Sequence, residues 1–214
     1  MIPPELGVFL TCLLGLVLGS FTTAVTAREL NGRSWVSDKG GAARSACPSC
    51  GKTLRILDLV PLFSWIALRG KCRHCQAPIG WTYPLTELTV VGLCLAVFLT
   101  WGLTLYGVTI MAAVPFLTAI TIMDWKQKPL SNRLVAVLGG LGVIFVASDV
   151  IDNFDFDVQG VVRLASDFLM FFCVFGVLFG LGWLVTGRKR KFPFVSVSVV
   201  TFFWMLLMLG AWQH

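Results

Sequence analysis

The sequence predicts an all-α polytopic membrane protein, with about six transmembrane helices and a small cytoplasmic four-cysteine zinc module. Three observations predict it: a composition too apolar for a soluble globule, six apolar runs of spanning length, and two CxxC pairs in one basic connecting segment. Of 214 residues, 57% are hydrophobic and 13% charged, and the mean hydropathy is +0.83. Soluble domains are about 45–50% apolar and about 25% charged. Half the usual charge cannot cover a soluble globule of this size, which excludes a cytosolic enzyme and a disordered chain.

Runs of about 17–25 apolar residues fit a bilayer, and they fall near residues 6–27, 84–101, 107–124, 134–148, 162–186 and 194–212. The first reads as a retained span, because only Glu5 precedes it and a signal peptide needs a basic leader region. The connecting segments 28–83, 125–133 and 187–193 carry 9, 3 and 4 Lys/Arg, against a chain total of 17. Segment 149–161 instead carries Asp149, Asp152, Asp155 and Asp157. An excess of Lys and Arg marks the cytoplasmic side, so both termini are expected outside and the basic segments inside. Topology therefore accounts for the net charge of +6 without a nucleic-acid partner, and the expected surrounding is the lipid bilayer. Three parts follow: residues 1–27 as the first transmembrane helix, 28–83 as the cytoplasmic zinc-binding module, and 84–214 as a bundle of about five helices.

Within the module, Cys47-Pro-Ser-Cys50 and Cys72-Arg-His-Cys75 are separated by 21 residues. Each pair can present two thiolates to one ion at about 2.3 Å, and two pairs complete a tetrahedron with no open position, so the metal is expected to be structural zinc. Cytoplasmic placement disfavours stable disulfides. Gly51 and Gly70 suit the tight turns of such knuckles, and Lys52, Arg55, Lys71 and Arg73 offset the negative charge of a four-thiolate centre. Gly15-Leu-Val-Leu-Gly19 has the spacing of close helix packing within one bundle.

Several motifs resemble the N-terminal part of bacterial prepilin peptidases through about residue 100. They are Leu18-Gly19-Ser20-Phe21, Arg44-Ser45-Ala46-Cys47-Pro48-Ser49-Cys50-Gly51, Asp58-Leu59-Val60-Pro61-Leu62-Phe63-Ser64-Trp65, Leu68-Arg69-Gly70-Lys71-Cys72-Arg73-His74-Cys75, and Tyr83-Pro84-Leu85-Thr86-Glu87-Leu88. The resemblance implies an inner-membrane enzyme acting on type IV prepilins or type II secretion pseudopilins. It would cut the basic leader with two membrane-embedded aspartates, then methylate the new N-terminus with S-adenosylmethionine. Two adjacent carboxylates sharing one proton can supply a base for water and an acid for the leaving group.

Asp124 matches the first of those aspartates: it ends an apolar span, a short basic loop follows, and Asn132 stands eight residues on. The second belongs in a Gly-x-Gly-Asp motif, which this sequence lacks. Asp167 shares only Asp-Phe with that motif, and the predicted topology places it about 28 Å from the inner end of its span. Glu87 is the other intramembrane acid on the inner side, matching the family's Tyr-Pro-x-x-Glu. The family generally has eight spans, and loss of one hairpin carrying Gly-x-Gly-Asp would leave six with every remaining orientation preserved. Two other readings stand beside the peptidase: a relative that only methylates, and a non-enzymatic zinc-bearing scaffold of a pilus or secretion assembly. Glu29, Asp38 and Asp58 are the acids available to a basic leader. The oligomeric state is left open.

Overall fold

The computed structural model describes residues 3–35, 37–38, 41–42, 44–129, 131–153 and 194–211, with scattered positions between 166 and 184. Its continuously described helices are α1 (Pro4–Leu30), α2 (Phe63–Ala67), α3 (Thr82–Trp101), α4 (Leu105–Trp125), α5 (Asn132–Asn153) and α6 (Phe194–Ala211). A 3-10 turn, Ile56–Leu59, precedes α2. The loop expected after the first span also holds a two-residue antiparallel ladder, Ser37–Asp38 against Gly41–Ala42.

Among the described residues three helices are long and apolar enough to cross a bilayer: α1, α3 and α4. Helices α5 and α6, at the fourth and sixth predicted spans, contain shorter apolar stretches, Asn132–Phe145 and Val195–Met205. The described positions within the fifth predicted span are helical. Of the acidic connecting segment expected at 149–161, residues 149–153 instead continue α5, because the helix runs on past the apolar stretch; Asp155, Asp157 and Asp167 lie outside the described residues.

The chain divides into two compact units, Met1–Leu95 and Ala96–His214. In the first, α1 buries a stripe of small residues, Gly7, Thr11, Gly15, Gly19, Thr22 and Thr26, at the 3.6-residue period that puts them on one face. The stripe brings α1 against α3 closely enough that a Cβ on Gly15 would lie 2.8 Å from Val91 Cα, and one on Gly19 would lie 2.7 Å from Glu87 Cα. The Gly-xxx-Gly spacing thus packs one helix of this unit on another. Phe9, Leu13 and Val17 of α1 face outward, as lipid-facing side chains do.

In the second unit α4 packs against α5 and α6. Met111, Val114, Ala119 and Met123 of α4, Leu134 of α5 and Val197 of α6 are buried. Gly102 (φ +62°) turns the chain after α3, and the Thr104 hydroxyl caps α4 by accepting from the Gly107 amide at 3.1 Å.

Candidate functional site

The two cysteine knuckles repeat one local design at an offset of 25 residues. In the first, the Cys47 amide donates to Lys52 O (3.0 Å), Gly51 N to Cys47 O (2.9 Å) and Leu54 N to Ser45 O (2.8 Å). In the second, Cys72 N donates to Ala77 O (2.9 Å), Gln76 N to Cys72 O (3.0 Å) and Ile79 N to Gly70 O (2.7 Å). Single antiparallel bridges, Ala46 to Thr53 and Lys71 to Pro78, close each loop. The residue after each second cysteine has positive φ: Gly51 at +70° and Gln76 at +57°. Glycine takes that conformation freely, whereas glutamine sits there at a steric cost.

This folding brings the Sγ atoms of Cys47, Cys50, Cys72 and Cys75 within 4.8 Å of one another, and Cys47 Sγ lies 3.8 Å from Cys75 Sγ. A tetrahedron with metal–sulfur bonds of about 2.3 Å has edges of about 3.8 Å, so the four sulfurs fit a metal ion. The amides of Cys50 and Ser49 stabilise a thiolate on Cys47 and lower its pKa from 9.0 to about 6. The Ala77 amide favours the Cys75 thiolate, but lost hydration and the neighbouring thiols outweigh it, and Cys75 is pushed up to about 11.

The module is tied down on two sides. Arg73, inside the second knuckle, holds Asp58 of the 3-10 turn through Nε and Nη2, both 2.8 Å from Oδ1, while the Arg55 amide donates to Oδ2 at 3.2 Å. Burial opposes the Asp58 charge, yet these bonds and the Arg73 charge keep its carboxyl below the ordinary carboxylate value. Trp65 donates to Ile79 O at 3.2 Å and its ring lies 4.3 Å from that of Trp81. Gly70 (φ +66°) fits beneath it, where a Cβ would meet Trp65 Cζ2 at 2.9 Å.

Glu87, buried on α3, accepts from the Leu62 amide through Oε2 at 2.8 Å. Leu62 (φ 58°, ψ −51°) is the centre of a three-residue turn in which Phe63 N donates to Pro61 O at 2.6 Å. This γ-turn with positive φ is rare and strained. Glu87 is thus a partner of the module's backbone.

Asp124, half-buried in the last turn of α4, accepts through one oxygen, Oδ2, from Ser196 N (2.9 Å) and Ser196 Oγ (2.8 Å). Ser196 lies in the first turn of α6, so the carboxylate caps that helix across 72 residues of sequence and sits in the favourable field of its N-terminus. Among the described residues Ser196 is the partner of the Asp124 carboxylate, and Asn132 begins α5. Sequence reasoning missed Ser196, Leu62 and Gln76. A serine in the first turn of a helix is commonplace, and nothing local announces a partner so far away. Of the acids offered to a basic leader, Asp58 is held by Arg73, and Glu29 accepts from Trp35 Nε1.

The Bacterial Peptidase A24 N-terminal domain family matches residues 13–101. The prepilin leader peptidase/N-methyltransferase of Burkholderia pseudomallei is 37% identical over 165 residues, covering 66% of this chain and 53% of the relative. That of Myxococcus xanthus is 37% identical over 144 residues, covering 66% of this chain and 41% of the relative. The chain therefore spans about half the length of these curated relatives. The Pseudomonas aeruginosa protein of the same description is 32% identical over 228 residues, covering 96% of this chain and 72% of the relative. No solved structure matches. With the knuckles, the acid at the end of α4 and the glycine-packed α1 all lying in a chain so matched nearly end to end, this protein belongs to the prepilin leader peptidase/N-methyltransferase family.

Proposed function

We propose that this chain processes type IV prepilins or pseudopilins in the bacterial inner membrane, removing the basic leader and methylating the new N-terminus. The observation that carries the reading is Asp124: a carboxylate at the end of a membrane-length helix, held in place by a second helix, in a chain of this family. Six spans, with both termini outside and the zinc module cytoplasmic, would put Asp124 at the inner face where a leader is cut.

In this reading Asp124 takes a proton from the attacking water, and a second acid protonates the leaving amine. Glu87 and Asp167 are the two candidates for that acid. The Leu62 amide already engages Glu87, which favours a positioning role for it. Zinc on Cys47, Cys50, Cys72 and Cys75 holds the module's fold. S-adenosylmethionine is the methyl donor in this reading, as the sequence resemblance implies. Glu29, Asp58 and Glu87 are engaged by protein donors, so none is assigned to its sulfonium charge.

Two observations favour a second reading, methylation or scaffolding without cleavage: among the described residues the group within hydrogen-bond distance of the Asp124 carboxylate is a serine, and this sequence lacks Gly-x-Gly-Asp. Co-expression with a prepilin, read by intact mass, separates the readings. Leader loss that disappears in Asp124→Ala supports the peptidase. An uncut but methylated or merely bound prepilin, in a host where a full-length relative cuts it, rejects it.

A further inference from the structure

We propose that the segment from Ile56 to Ile66 is a membrane-inserted wedge, which seats the zinc module on the acyl-chain region of an anionic bilayer. The inference stands apart from whether the chain cleaves or methylates.

The 3-10 turn and α2 expose side chains that a water-facing module would bury. Ile56 is 86% exposed, Leu57 72%, Phe63 66% and Ile66 65%. Phe63 and Ile66 are three apart and share one face of α2. Contiguous exposed apolar surface of this kind marks an interaction site, and its depth identifies the occupant. Helix α3 has 20 residues, so it rises about 30 Å and needs its whole length to cross a hydrocarbon core. Glu87 stands five residues into it, about 7.5 Å below its start. The hydrogen bond from Leu62 N to Glu87 Oε2 therefore draws the Pro61–Phe63 turn down to that depth.

Irregular backbone is tolerated at such depth only where protein satisfies its polar groups. At the Leu62 turn the pairing does so: Glu87 takes the Leu62 amide, and Pro61 O takes the Phe63 amide. Exposed Arg55 and Arg69 bracket the stretch, whose one charged residue, Asp58, is paired with Arg73, and Lys71 follows. They match anionic headgroups, each worth about 1 kcal/mol near such a surface. Trp81, exposed at the foot of α3, suits the interface that tryptophan prefers. The basic bracket would repel a basic peptide.

The test uses the full chain in vesicles of phosphatidylethanolamine and phosphatidylglycerol, doped with a phospholipid carrying a photoactivatable diazirine on its acyl chain. After irradiation, labelled peptides are mapped by mass spectrometry. Label on 56–66 within about threefold of that on the outward face of α1, with the knuckle peptides 47–53 and 71–78 at least tenfold lower, is the expected result. Omitting phosphatidylglycerol should lower the 56–66 label severalfold and leave α1 unchanged. Glu87→Leu should lower label on 56–66 selectively. A 56–66 segment as unlabelled as the knuckles overturns the proposal and makes its apolar surface a seat for another protein. Labelling indifferent to Glu87→Leu overturns the anchoring by α3.

Discussion

Ser196 donates twice to a single oxygen of Asp124, and a carboxylate so held serves α6 as well as any reaction. Ser196→Ala keeps the amide bond and loses the hydroxyl bond to a charged acceptor. Thermal unfolding in detergent should show a loss of about 1–2 kcal/mol, and a variant as stable as the parent would show that the hydroxyl contributes nothing. Ser196→Asp sets a second acid beside the first. Like charges so close share a proton at neutral pH, so infrared spectroscopy should show a protonated carboxyl band that Asp124→Asn abolishes. Gln76 carries a positive φ that its counterpart Gly51 carries without cost. Gln76→Gly should stabilise the module by about 1 kcal/mol, read as slower metal loss to a chelator. The cysteine positions and both glycines of the knuckles were legible from spacing alone. Gln76 was not, because its conformation follows from the 25-residue structural repeat, which the side chains do not announce.

At the scale of elements, the α1–α3 contact rests on two glycines whose missing side chains admit backbone at 2.8 Å and 2.7 Å. Gly19→Ala should cost about 1–3 kcal/mol, whereas Gly92→Ala, with nothing within 4 Å of its added Cβ, should be near neutral. Equal melting temperatures for the two would reject the close packing. The knuckles respond to acid in a direction fixed by their protons. Metal entry must displace the proton of Cys75, whose pKa lies near 11, and keep Cys47, near 6, as thiolate. Affinity measured against a chromophoric chelator should therefore fall steadily as pH is lowered. The Asp58–Arg73 tie has its own window. The folded carboxyl is depressed, so its stabilisation is fully present above the ordinary value of 3.8 and is lost as pH falls through the depressed value. Sequence pattern located helices by apolar length and so found α3 and α4 within two residues. It gave no hint of the Leu62 turn, a strained geometry set by a carboxylate 25 residues away.

For the whole molecule, the proposed six-span arrangement predicts that alkaline phosphatase fused after His214 is active, because the C-terminus would lie outside, and that a fusion after Lys128 is inactive. The reverse pattern would invert every element, the four-cysteine module included. What the sequence conveyed at this scale was charge bias and family motifs; what it could not convey was which distant groups meet, since Asp124 with Ser196 and Glu87 with Leu62 are partners across long stretches of chain. The second of these pairs has a consequence for biosynthesis. All four cysteines leave the ribosome before Glu87 does, so a nascent chain can close its metal clasp while the Leu62 amide still lacks its acceptor. The turn acquires its final shape only when α3 arrives, which makes arrival of that helix the event that fixes the Leu62 turn.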